Sequence, residues 1–313
     1  MTQPKTRGEI QAAYEVCRGI ARREAKNFYY AFLALPAEKS NAMCAIYAFM
    51  RRADDIADDE SASIEARREN LQQWLDAWQT ARAGGATSDP VFIALRDTQG
   101  RFEISDTLLE QLVQGVAMDL ASEKKLGASV QTYQTFDELY RYCYLVASVV
   151  GLVCIRVFGY NDAAAEKLAE ETGIAFQLTN ILRDVKEDAE RGRVYLPLDD
   201  LKHFSVSLES ILSHPAGHKP NLNQRELLEF EADRSVKYYE SAEKLIPLID
   251  ADSRPALRVL VSIYRELLNR IIAADYDVFT QRRSVPTWKK LSILLGGMAP
   301  MLVYRVFHRQ GER

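Results

Sequence analysis

"YAFMRRADDIADDE", Tyr47 to Glu60, sets Asp54, Asp55, Asp58 and Asp59 directly against an apolar segment. Carboxylates at helical spacing repel one another unless water or a cation stands between them. At about 100° per residue, Tyr47, Arg51, Asp54 and Asp58 fall within one narrow arc, with Asp55 and Asp59 at its edge. A core helix would fill that arc with Leu or Ile. Here Ala42, Cys44, Ala45, Ile46, Phe49 and Ile56 supply the packing flank instead. Two readings follow: a solvated acidic turn, or a site at which Asp54 and Asp58 share a hard divalent cation through oxygen ligands.

A second stretch decides between them. "FQLTNILRDVKEDAERGRVYLP", Phe176 to Pro197, repeats the ladder with Gln177, Asn180, Asp184 and Asp188. Phe176, Leu178, Ile181 and Leu182 form its packing face. Amides are costly to bury without partners and well suited to orient a metal ligand or to bind phosphate. Arg183 offers a bidentate donor to phosphate, while Lys186 and Glu187 read as solvated. Two aspartate ladders more than a hundred residues apart would repel if they faced each other across a bundle. Two or three Mg²⁺ ions with a diphosphate between them resolve that conflict, because Mg²⁺ takes one or two carboxylates, waters and phosphate oxygens.

Composition permits this chemistry and excludes others. The chain has 313 residues, 47% of them hydrophobic, enough for one large core or two modest ones. A net charge of −4 provides no basic field for nucleic acid. Cys17, Cys44, Cys143 and Cys154 lack CxxC spacing and read as reduced, buried thiols of a cytosolic protein. The first ten residues contain no apolar core and do not resemble a secretion signal. Leu145–Tyr160 and Leu291–Phe307 are apolar but too short or too interrupted to span a bilayer. Both read as core helices, and a peripheral membrane contact by the second is a further expectation.

Nearly every segment has helical periodicity, and no stretch alternates as a strand would. Ala81–Pro90 is a loop, His203–Asn223 the longest irregular region, and Asp252 or Ser253 a helix cap. These features predict one all-α domain over residues 1–313, with ten or more helices, larger than a four-helix bundle.

With both ladders read, the chain resembles the squalene/phytoene synthase family of head-to-head prenyl transferases. The resemblance runs from about Cys17 to about Lys290. It is carried by "AKNFYYAFLALP", "YAFMRRADDIADD", "YRYCYLVASVVG", "QLTNILRDVKEDAERGRVYLP" and "ADYDVFTQRRSVPTWKKL". It implies a helical isoprenoid-synthase bundle whose central cavity holds two prenyl diphosphates. Asp54 and Asp58 match the family's first metal-binding pair and Asp184 and Asp188 the second, with Asn180 beside them. Tyr47, Arg51, Gln177 and Arg183 fall at diphosphate- or metal-adjacent positions. Lys26 lies in the N-terminal phosphate-binding segment, where Ala25 and Asn27 replace commoner hydroxyl residues. Tyr142 matches a tyrosine proposed to act in catalysis. Tyr264 and Arg282 match positions lining the diphosphate region, and one alignment slip would exchange Arg282 for Arg283. Asp119 resembles an aspartate near the site. Tyr133, Tyr140 and Tyr144 read as structural, and the histidines receive no role.

The implied reaction is ionisation of one allylic diphosphate, attack by the double bond of the second, and proton loss to close a cyclopropane. The resemblance leans toward two farnesyl diphosphates giving presqualene diphosphate or squalene. A phytoene synthase joining two geranylgeranyl diphosphates is the close alternative, since "YLP" and "DYDVF" are shared with it. Completing squalene would need NADPH; no GxGxxG loop is present, which leaves reductant use open. A terpene cyclase, or a non-catalytic assembly factor of the same fold, are the remaining readings. Asp54→Ala or Asp184→Ala is expected to abolish turnover while the far-UV circular dichroism stays close to the parent's. Full activity in either variant would refute the metal role.

Overall fold

A computed structural model describes residues 5–122 and 130–308, with the side chains of residues 26, 27, 119, 121, 122 and 298–308 outside that description. Two expectations, Lys26 and Asp119, concern side chains in the second group.

The first third of the chain is helical: α1 (Arg7–Glu24), α2 (Lys26–Phe32), α3 (Ala37–Ala57), α4 (Ile64–Arg82), α5 (Pro90–Phe102) and α6 (Asp106–Ser122). A two-residue strand β1 (Gln131–Thr132) precedes α7 (Phe136–Cys143), a π-helical turn over Tyr144–Ser148, and α8 (Val149–Phe158). The long central α9 (Ala164–Glu190) is followed by β2 (Arg193–Val194), α10 (Leu198–His203) and α11 (Leu208–Leu212). α12 (Leu222–Leu245), α13 (Arg254–Ala273) and α14 (Thr287–His308) complete the order. The all-α expectation holds, with one short parallel pairing of β1 and β2 added to it. The segment expected to be irregular contains α11 and the first turn of α12.

Local chemistry sets the helix ends. Thr6 and Glu9 form a reciprocal capping box on α1, and Asn221 with Gln224 does the same on α12. Asp89 caps α5 ahead of Pro90, whose missing N–H costs nothing there. Ser253 takes the cap position of α13 but makes no side-chain cap bond. Its hydroxyl and Asp252 instead bind Lys39 of α3, at 2.9 and 2.7 Å. Lys39 also donates to the Phe158 carbonyl at 2.7 Å, tying α3, the end of α8 and the start of α13 together.

One continuous buried cluster runs from Ala13 to Leu294. The apolar stretch Phe136–Phe158 is long enough to cross a bilayer, but half of its most apolar window is buried within the protein. It is a core segment, as expected for its second half.

Close approach of α9 to the π turn and α8 depends on missing side chains. A Cβ on Gly173 would lie 2.6 Å from Ser148 Cα and 2.8 Å from Ala147 backbone atoms. One on Gly151 would lie 2.8 Å from the Ala169 carbonyl oxygen. Backbone atoms cannot rotate away, so Gly173→Ala is expected to cost about 1–3 kcal/mol in urea unfolding. Gly100→Ala on α5, where nothing lies within 4 Å, is the control and is expected to gain about 0.5–1 kcal/mol. Equal stability of Gly173→Ala and the parent would show that these helices have room to spare.

Candidate active site

Two cavities adjoin inside the helical shell. The first, about 250 Å³, is bounded mostly by apolar side chains of α3, α8, α9 and α13. Its polar rim comprises Tyr47, Arg51 and Asp54 from α3, Gln177 and Asn180 from α9, and Tyr264 from α13. The second, about 300 Å³, is lined by Asp54, Asp58, Tyr142, Gln177 and Arg193 among apolar neighbours. Met50, Asp54, Val146 and Gln177 border both. Residues from both ladders thus meet where the cavities touch.

The rim is held rigidly. Arg51 pairs with Asp55 at 2.7 Å, one turn along α3. Burial pushes the Tyr47 phenol up to about 12, against the lowering influence of Arg51. α3 ends at Ala57, whose carbonyl accepts from buried Arg67 of α4 at 2.7 Å. A cation on the last carbonyls of a helix is favourably placed. Asp58, the C-cap residue, still closes a turn onto the Asp54 carbonyl at 2.8 Å, so the two carboxylates keep their helical offset. Tyr264 stacks on Phe176 with ring centroids 4.4 Å apart, and burial raises its phenol.

The second ladder carries unequal charges. Asp184 accepts from both Arg183 and Arg282, the latter through Nε at 2.8 Å and Nη2 at 2.7 Å. Burial alone would raise Asp184; the two guanidiniums outweigh it and hold its carboxyl below the ordinary range. Asp188 has the opposite fate. Burial first, and then the charge of Asp184, push it up to about 7, with Arg193 and Arg191 opposing and Glu187 adding to the rise. Asn180 donates to Gln177 Oε1 at 3.4 Å, yet its own Oδ1 is buried with no partner. Glu187 is partly exposed: Oε1 pairs with Arg282 at 3.5 Å, while Oε2 is buried without a partner.

Several sequence expectations resolve here. Arg282, not Arg283, faces the second ladder; Arg283 turns back to Asp277, on its carbonyl at 3.0 Å and its carboxylate at 3.5 Å. Tyr142 is buried in the wall of the second cavity. Its hydroxyl meets that of Tyr195 at 3.3 Å, and the rings stack at 5.0 Å. Tyr133, expected to be merely structural, completes this group, 5.5 Å from Tyr142 and 6.0 Å from Tyr195. Tyr140 instead bonds Glu170, away from both cavities. Sequence reasoning missed Arg193 and Tyr195. Gly192, at φ 71°, ends the turn after α9, and β2 then pairs with β1, placing Arg193 opposite Gln131 and Tyr195 against Tyr133. The signal was the "GRVYLP" tail of the second motif, weighed for the kind of synthase and not for site residues.

Not all expected ligands gather. Asp184 and Asp188 line neither of these two cavities; Asp188 borders a small void that shares Arg193 with the second one. Among the described residues, no three acidic, histidine or cysteine side chains form one metal-holding group. The donors nevertheless suit a hard cation: all are oxygens, one of them the orphaned Asn180 Oδ1.

The helical shell around apolar cavities, rimmed by aspartates, amides and arginines, is the isoprenoid-synthase fold of the solved structures it superposes on. The chain belongs to the squalene/phytoene synthase family, whose model matches residues 21–289, and it is accordingly a prenyl transferase. It is 39% identical over 307 residues to a phytoene synthase of Arthrospira platensis, covering 94% of each chain. A 15-cis-phytoene synthase of Synechococcus elongatus is 36% identical over 302 residues, covering 91% of this chain and 92% of its own. Among solved structures, a dehydrosqualene synthase in complex with ligand superposes with a TM-score of 0.81 at 30% identity, covering 95% of this chain and 99% of its own. A squalene synthase from Alicyclobacillus acidocaldarius gives 0.76 at 26% identity, covering 87% and 97%.

Asp188 supplies a test in the metal-free protein. Its folded value of about 7 lies above the ordinary 3.8, so ionising it opposes folding. The penalty is absent below about pH 4, grows as pH rises toward 7, and stays in full above that. In EDTA, Asp188→Asn is therefore expected to raise Tm at pH 8 and to leave it unchanged at pH 4. No gain at pH 8 would contradict the assigned burial.

Proposed function

We propose that the protein joins two geranylgeranyl diphosphates head to head, giving phytoene by way of a cyclopropyl diphosphate. The observation that carries the head-to-head reading is the pair of adjoining cavities with a shared polar border at Asp54 and Gln177. Two prenyl chains lying one in each cavity would bring their diphosphate-bearing ends to that border. The choice of a C20 substrate rests on the curated relatives: those at 35–39% identity are named phytoene synthases. This replaces the lean toward farnesyl diphosphate. The farnesyl reading is the second one, favoured by the likeness to dehydrosqualene and squalene synthase structures.

Asp54, Asp58, Asn180, Asp184 and Asp188 would hold Mg²⁺, which supplies Lewis-acid neutralisation of the leaving diphosphate. The chain's own groups then do the following. Arg51, Arg183 and Arg282 offset the charge that develops as the C–O bond breaks and the diphosphate departs with the electron pair. Lys26 would add to this from the start of α2. The apolar walls exclude water, which would otherwise trap the allylic cation as an alcohol. The double bond of the second substrate attacks that cation, and loss of a proton to the departed diphosphate, steered by Tyr142, closes the ring. The Tyr195 hydroxyl accepts from the Tyr142 phenol and would hold it in the cavity wall for that role. Loss of the second diphosphate gives another carbocation. Its quenching by proton loss needs no reductant, whereas quenching by hydride consumes NADPH.

Mass analysis of products from C15 and C20 diphosphates, each with Mg²⁺ and with or without NADPH, tests the proposal. A C40 hydrocarbon formed from the C20 substrate without NADPH is expected, with loss of activity in EDTA. A C30 product from the C15 substrate, with the C20 substrate left untouched, would establish the second reading. A cyclised monomeric hydrocarbon would reject both.

A further inference from the structure

The polar border between the two cavities has one arginine on each side. Arg51 lines the first cavity and Arg193 the second, while Asp54 and Gln177 line both. Among the described residues, no other lysine or arginine lines either cavity. Arg183 and Arg282 are engaged instead on Asp184, which borders neither.

Strand pairing, not helix spacing, puts Arg193 there. The Gly192 carbonyl accepts from the Gln131 N–H at 2.9 Å, and β2 sets Arg193 opposite Gln131 and Val194 opposite Thr132. Side chains alternate along extended chain, so Arg193 and Tyr195 share one side and Val194 takes the other. Val194 is buried in the core, whereas Tyr195 reaches the Tyr142 hydroxyl at the wall of the second cavity. Arg193 also borders the small void beside Asp188. A counter-charge for Asp188 alone would need only the void; this residue walls the cavity as well.

We infer that Arg193 holds, in the second cavity, the diphosphate of the substrate whose double bond attacks. In the proposed reaction that substrate keeps its own C–O bond through the first step. Its diphosphate therefore needs a holder apart from the groups that drive ionisation of the other. The remaining charged groups of this cavity are Asp54 and Asp58, which repel a diphosphate unless cations intervene. A guanidinium offers paired N–H donors that match phosphate oxygens. The inference rests on the prenyl-diphosphate reading above and adds to it which substrate the second cavity takes.

Isothermal titration of the full chain in Mg²⁺ with the sulfur-bridged analogue of geranylgeranyl diphosphate, which scarcely ionises, counts the sites without turnover. The farnesyl analogue is titrated in parallel. The parent is expected to bind two analogues per chain. Arg193→Gln is expected to keep one site at the parent's affinity and to bind at the other roughly tenfold or more weakly, with its circular dichroism unchanged. Arg193→Lys, which keeps the charge but not the fork, is expected to lie between. Leu112→Trp, which fills the second cavity, is expected to lose the same site, so that combining it with Arg193→Gln removes nothing further. Two sites of parent affinity in Arg193→Gln, or equal weakening of both, overturn the inference. A combined variant that binds no analogue also overturns it, because Arg193 then serves the first cavity. A parent that binds only the farnesyl analogue changes the chain length proposed above, and the same variants decide on Arg193 with that analogue. A parent that binds neither defeats the prenyl-diphosphate reading itself, and this inference with it.

Discussion

The structure turns on holding carboxylates at the edge of an apolar cavity without losing the fold. Ionised groups next to low-dielectric walls must be paired, neutralised or hydrated. This chain uses a different answer at each position. Arg51 ties Asp55 beside the rim. Arg183 and Arg282 hold Asp184 ionised. Asp188 is left as the group whose charge the protein alone does not support, and Asn180 Oδ1 as an acceptor with nothing to accept from. These unsatisfied groups, one on the cavity rim and one beside it, suit the cations and diphosphate proposed as the site's contents.

The cavities owe their shape to close helix packing as much as to large side chains. Gly173 and Gly151 let α9 and the segment from the π turn through α8 touch backbone to backbone. The π turn itself inserts an extra residue into the helical path, a distortion common at functional sites. It sits between Tyr142 and the wall shared by the two cavities. At the other end, Lys39 binds a carbonyl, a carboxylate and a hydroxyl from two distant segments, which fixes α3 relative to α8 and α13. The acidic ladder of α3 is thereby anchored at both ends, by Lys39 below and Arg67 above.

Periodicity made much of this legible. Each ladder occupies one face of a helix whose other face packs, and that pattern is a local property of the chain. Asp54, Gln177 and Asn180 accordingly lie where the spacing put them. Arg193 and Tyr195 escaped notice because no helix repeat relates them to the ladders; a two-strand pairing between distant segments positions them. The pairing of Glu187 with Arg282, almost a hundred residues further on, lies beyond local spacing for a related reason.

By itself the sequence determined the helical class, the two acidic faces, the buried cysteines and the family motifs, because each depends on neighbours within a few turns. Tertiary structure alone decided that two adjoining cavities share a border at Asp54 and Gln177, and that Arg282 rather than Arg283 reaches Asp184. It also gave Asp184 and Asp188 opposite electrostatic fates. Those outcomes are set by which groups approach across long loops, and by how much water remains around them. One-dimensional spacing carries neither quantity.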